Sequence, residues 1–199
     1  MRPTFHQGII IQTYIPYQQK TILFDNSLGK IEVIMNKSIT YERPILGALI
    51  EYMYQPWHHM HQLTTSAYIS VPQPWVDILF LHHLLEMSNY FLAFHCDSNA
   101  TFNLFMLLYR PSLNVHSTYT KKLFMCRFFS SIGIYPSYLS SRDSHFLNLI
   151  SGSIDIMLNI REDIYCEKKI NRWLLECVHT HPYAHTFKTT HFITKNGYI

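Results

Sequence analysis

The chain has 199 residues, 48% of them hydrophobic, with 14 Tyr, 13 Phe, only 15% charged residues and a formal net charge of +3. This length can bury a real core in one or two domains, and the composition excludes a disordered chain. The mild basic bias, with 13 His in reserve below neutral pH, permits a polyanionic partner without demanding one.

The opening MRPTFHQGIII has neither the long apolar run nor the small-residue cleavage site of a signal peptide. Short strand-like runs follow. Gly8 to Tyr14 (GIIIQTY) is β-branched and aromatic, Thr21 to Phe24 (TILF) is a second run, and Ile31 to Met35 (IEVIM) is a third. The turns IPYQQK and DNSLGK between them are short, so the runs should pair as antiparallel hairpins. Ala48 to Tyr54 and Ala67 to Val71 are later strands, with Trp57 to Gln62 as an irregular joint or a further strand. Five short strands in about seventy residues predict a small closed or half-closed barrel.

The pattern changes at VPQPW, where Pro72 and Pro74 end the strands. Trp75 to Phe94 is apolar nearly all round and predicts a central helix. Asp77, His82, His83 and Glu86 interrupt it, which argues against a membrane span. Further helices are expected over Ala100 to Tyr109, capped by Ser98-Asn99, and over Thr118 to Ile132. Two more follow, over Ser144 to Leu158 and over Glu167 to Val178, the last with Ile170, Trp173, Leu174 and Cys177 on one face. The tail beyond Pro182 reads as polar and extended. The fold class is therefore α+β: a five-stranded β-barrel-like head over residues 1–72, then an all-helical domain over 73–199.

No catalytic constellation is present. GxSxG, HExxH, P-loop and GxGxxG motifs are absent, Gly is scarce, and the 13 carboxylates are scattered. The four cysteines form no CxxC pair, and their apolar settings suggest reduced, buried thiols in a cytoplasmic protein. The histidine groups HHMH (His58 to His61) and CVHTHPYAH are the two conceivable metal clusters. Cys177, His179, His181 and His185 lack the tight spacing of zinc sites, so no metal and no cofactor are expected.

Basic and aromatic residues carry the remaining signal. Lys20, Lys30, Lys37 and Arg43 fall at strand ends and turns of the head, where such barrels meet oligonucleotides. Lys168, Lys169 and Arg172 share one face of a body helix, and Lys121, Lys122 and Arg127 lie on another helix. Tyr14, Tyr17, Phe24, Tyr41, Tyr52, Tyr54 and Tyr68 can stack bases if exposed, or serve as ordinary strand and core residues.

Taken in order, these segments resemble the bacterial DNA repair protein family RecO. The resemblance rests on Gly8-Ile9-Ile10-Ile11, then Thr21 to Phe24, then Gly29-Lys30-Ile31-Glu32-Val33 with Lys37 beyond, and Leu46-Gly47-Ala48-Leu49. It continues through Leu79 to Leu92, Leu123 to Pro136 (LFMCRFFSSIGIYP) and the close HPYAHTFKTTHFI, with Lys188 and Thr189 at the family's Lys-Ser positions. The family's four zinc cysteines would follow Pro136, where this chain has SYLSSRDSHF, so zinc is not carried over. The chain is also shorter and less basic than the family implies, and has Ser38 where the family often has Gly. The resemblance implies an oligonucleotide-binding (OB) fold over residues 1–72 followed by a helical domain, and a non-enzymatic recombination mediator in the bacterial cytoplasm or nucleoid. Such a protein binds single- and double-stranded DNA, anneals strands, and helps load RecA with a RecR-like protein and the single-strand-binding protein's C-terminal tail. Lys20, Lys30, Lys37 and Arg43 in the head, and Lys168, Lys169 and Arg172 in the body, are the expected phosphate contacts. A protein-interaction module with little DNA affinity is the first alternative, and a metal-dependent enzyme using Cys177, His179, His181 and His185 is the second.

Overall fold

The computed structural model describes residues 4–14, 20–35, 44–57, 60–72, 77–110, 115, 117–136, 144–152 and 164–195. Five strands come first: β1 (His6–Tyr14), β2 (Lys20–Asp25), β3 (Gly29–Met35), β4 (Leu49–Trp57) and β5 (Met60–Ser70). They close a barrel in the order β1-β2-β3-β5-β4. Neighbours run antiparallel except β3 and β5, which are parallel and meet over Val33–His61 to Met35–Leu63. The expected α+β class with an OB-like barrel followed by helices is what the chain adopts. Of the stretch expected as an irregular joint or a further strand, Trp57 ends β4 and Met60 opens β5, and these two residues pair.

Side chains alternating along the strands fill the barrel: Ile10, Leu23, Ile31, Val33, Met35, Ala48, Ile50, Tyr52 and Leu63. A bulge between Ile10 and Gln12 shifts the register of β1 on β2, so Ile9, Ile10 and Ile11 are all buried. Phe24 points the other way, outward from the barrel. There it meets Phe102 and Phe105 edge-on, with ring centroids 5.5 and 5.8 Å away.

Six helices follow among the described residues: α1 (Ile78–Phe91), α2 (Asn99–Met106), α3 (Thr118–Ser131), α4 (Ser144–Ser151), α5 (Ile164–His179) and α6 (Lys188–Lys195). Three expectations are corrected here. The tail beyond Pro182 is not extended, because Lys188–Lys195 is helical. Glu86 caps that helix, its carboxylate accepting from Lys188 N (3.1 Å), Thr189 N (2.9 Å) and Thr189 Oγ1 (2.6 Å). The helix buried on every side is α3, whereas α1 exposes Ile78, Leu79 and Tyr90. Ser98 does occupy the position before α2, but its hydroxyl donates to Cys96 O and caps no helix N–H; Asp97 Oδ1 instead accepts from Asn99 N at 3.1 Å.

The chain forms two compact units. One comprises Met1–Pro74 and Met87–Leu113, the other Trp75–Glu86 and Asn114–Ile199. The expected division at 72/73 follows the change of element type, while packing draws residues 87–113 to the barrel. In the second unit, Ile170, Trp173, Leu174 and Cys177 are all buried as the helical spacing predicts. Trp173 is ringed by Phe129, Tyr135 and Phe146 at 6.1 to 6.5 Å.

Candidate nucleic-acid interface

The turn that joins β2 to β3 is organised by Asp25, whose side chain is completely buried. Its Oδ1 accepts from Ser27 N and Leu28 N, both at 2.7 Å, and from Ser27 Oγ at 2.9 Å. Its Oδ2 accepts from the Tyr52 hydroxyl at 2.6 Å. Burial, and then the Asp25 charge, push the Tyr52 phenol above its ordinary range. Gly29 closes the turn at φ +69°, and a Cβ there would sit 1.8 Å from the Cys96 carbonyl oxygen. Only glycine permits that approach.

Lys30 is not a free surface cation. It is 5% exposed, and its ammonium donates to the carbonyls of Asn89 and of Leu92, the latter at 3.1 Å. Those carbonyls close the last turn of α1, where a cation is favoured. The ammonium also lies 4.3 Å from the Phe94 ring centroid. Desolvation lowers its pKa from the ordinary lysine value. Leu23, Ile31 and Val33 point into the barrel, so Phe24 and Lys30 lie on the outer side of β2 and β3. That side is where OB-type barrels receive oligonucleotides. Here residues 89–105 cover it at both positions.

The other predicted cations divide. Lys20 forms an ion pair with Glu32 and sits 5.7 Å from the Tyr14 ring centroid. Lys37 and Arg43 lie outside the described residues. Lys168, Lys169 and Arg172 are exposed on α5, as their spacing predicts. Lys121 and Lys122 turn inward instead: Lys121 Nζ is 2.7 Å from Asp77 Oδ2, and Lys122 Nζ is 3.2 Å from Glu167 Oε1. Arg127 donates to the Gly152 carbonyl at 2.6 Å. These three hold helices together.

At one end of the barrel six rings run in contact. His6 lies 5.8 Å from Tyr52 and 5.0 Å from Tyr54, and Tyr54 meets His61 edge-on at 4.5 Å. His61 continues to His95 at 6.1 Å, and His95 to Phe94 at 6.4 Å. The strands supply the first four rings from β1, β4 and β5. His95 adopts φ +58°, and its N–H donates to Lys30 O at 3.0 Å, which sets the last two beside them. Tyr52 is buried, Tyr54 and His61 are half-buried, and His95 and Phe94 are exposed. Aromatic composition flagged Tyr52 and Tyr54. It missed His61, read only as part of a metal-like cluster, and His95, which reaches the barrel end through tertiary structure.

No group of three metal-ligating side chains with metal-site geometry occurs among the described residues. Cys177 is buried, with its thiol 3.7 Å from Ile134 O and its pKa raised by burial. His181 Nδ1 accepts from Tyr183 N at 3.2 Å. Cys126 is likewise buried, while Cys96 is exposed, against the expectation of buried thiols throughout. No helix among the described residues is long and apolar enough to cross a membrane.

In comparisons with known proteins, the chain matches no protein-family model and no curated protein sequence.

Proposed function

We propose that this protein binds single-stranded DNA on its barrel and acts as a RecO-like, non-enzymatic mediator of recombinational repair in the bacterial cytoplasm. The ring ribbon on the OB-like barrel is the observation that supports this reading, because partly exposed aromatic and imidazole rings in series give unstacked bases a sequence-tolerant surface. Lys168, Lys169 and Arg172 on α5 add sequence-independent phosphate contacts, which serve duplex as well as single strands. Annealing needs no nucleophile, in keeping with a sequence without a catalytic motif. A RecR-like protein, the single-strand-binding protein's C-terminal tail and assistance to RecA loading belong to the same proposal.

Fluorescence anisotropy with a labelled oligonucleotide, followed over a salt series, tests it. Binding should weaken steeply with salt, and Tyr54→Ala should cost about 1–3 kcal/mol. Absence of affinity for single-stranded DNA even at low salt refutes the reading. The pairing of Lys20 with Glu32 and the burial of Lys30 against the end of α1 favour a second reading, a protein-interaction module with little DNA affinity. Capture of a RecR-like ring or of the acidic single-strand-binding tail, without any DNA shift, would select it.

A further inference from the structure

Both described lysines of the barrel have internal partners, Glu32 for Lys20 and the end of α1 for Lys30. Among the described strand residues of the barrel, positive charge for a phosphodiester chain is therefore to be sought in side chains other than lysine. We propose that the imidazoles of the ring ribbon, His61 and His95 foremost with His6 behind them, supply it, so that the barrel holds a nucleic-acid phosphate through imidazolium rather than ammonium groups. The inference rests on the DNA-binding reading above and deepens it.

The geometry carries the argument. His61 Nδ1 is buried and has no hydrogen-bond partner, so a proton gained there meets no ready acceptor. The nearby carboxylate, Asp25, already receives two backbone N–H groups and two hydroxyls. Its Oδ2 is 3.6 Å from His6 Nδ1, so the little capacity it retains faces His6. Tyr54, which touches both His61 and His6, brings no negative charge at neutral pH. Lys30 faces Phe94 at the far end of the ribbon and adds like charge. Among the described residues neither His61 nor His95 forms an ion pair, and Asp25 acts on His61 only from beyond ion-pair distance, so an anion from outside can satisfy an imidazolium there. Burial, with His95 next in weight, lowers the His61 pKa from the ordinary histidine value, which sets the change on the acid side of neutrality.

The test is anisotropy with a labelled oligothymidylate at about pH 8 and about pH 5.5, at fixed salt, for wild type, His61→Phe and His95→Asn. Phe keeps the ring without the proton, and Asn tolerates the positive φ of His95. Thermal melts at both pH values establish that each protein is folded. Wild type should tighten roughly tenfold at the lower pH, the worth of one charge-assisted contact. Its salt slope should steepen by roughly one phosphate contact. The readout is the ratio of affinities at the two pH values within each protein: His61→Phe should lose most of the acid gain whatever its affinity at the higher pH, and His95→Asn should lose part of it. Binding that tightens equally in wild type and both variants overturns this inference alone, since other histidines would then be responsible. So does a wild-type barrel that melts at the lower pH, because the protonated ring would then be destabilising the fold. Absence of binding at either pH overturns the DNA-binding reading and this inference with it.

Discussion

Replacing Lys30 separates two roles that the sequence alone could not distinguish. A phosphate-binding lysine is exposed, and its loss weakens DNA binding with little effect on stability. The Lys30 seen here donates to the Asn89 and Leu92 carbonyls from a site 5% exposed. A hydrogen bond from a charged group contributes about 1.5–3 kcal/mol, and a buried acceptor left without its donor costs about 1–3 kcal/mol. Desolvation of the ammonium, visible in its lowered pKa, offsets part of this. Lys30→Met keeps the apolar stem and should cost about 2–3 kcal/mol; Lys30→Ala also empties the stem's site and should cost about 3–5 kcal/mol. Urea titrations with tryptophan fluorescence and with far-ultraviolet circular dichroism measure both. In a chain of this size Lys30→Met should lower Tm by about 4–10 °C. Oligonucleotide affinity, measured well below the transition, should change by less than about threefold. Unaltered unfolding with a tenfold loss of affinity in Lys30→Met would refute the assignment and restore Lys30 to the DNA surface.

Four further outcomes follow from the same geometry. Gly29→Ala should destabilise by at least about 2–3 kcal/mol in urea titration, because a Cβ overlaps the Cys96 carbonyl and φ is left-handed. Asp77→Ala removes an acceptor for Leu79 N at 2.8 Å and the partner of Lys121; about 1–2 kcal/mol of capping should be lost. The Asp77 pKa is lowered, first by the Lys121 hydrogen bond. Its contribution is therefore present above the unfolded-state value of about 4 and fades as pH falls through the lower folded value, and acid titration of the variant should show a shallower loss. Glu86→Gln should accelerate amide hydrogen exchange across Lys188–Lys195 while leaving the barrel amides unaffected. Exchanging Lys168, Lys169 and Arg172 together for Glu should reduce the single-strand salt slope by about two, if all three meet phosphate.

The legible part of the fold was local. Alternation in GIIIQTY, TILF and IEVIM and the turn residues of DNSLGK located three strands to within about two residues. Helical spacing found the buried face of α5. What escaped was set by partners distant in sequence. Barrel closure depends on the parallel pairing of Val33 with His61, which no turn announces. The polar tail becomes α6 because Glu86, 103 residues away from Thr189, caps it. Lys30, Lys121 and Lys122 read as surface charge because lysine usually is, and each is instead buried against carbonyls or a carboxylate. The ring ribbon was half legible: aromatic content pointed to Tyr52 and Tyr54, but His95 arrives by way of a left-handed residue after α1.

The covering of β2 and β3 by the segment after α1 bears on how the protein can be divided. A fragment ending at Pro74, four residues beyond the end of β5, would uncover Phe24 by removing Phe102 and Phe105. It would also leave the Lys30 ammonium without its carbonyls, and Gly47 O without the Tyr109 hydroxyl that donates to it at 2.6 Å. An uncovered aromatic face on a small barrel invites self-association. The smallest piece of this chain that retains the barrel's own surface therefore does not end with the barrel. It carries residues 87–113 as well, and because α1 begins in the other unit, no single cut yields it; those residues must be supplied in trans or rejoined to the barrel by a new linker.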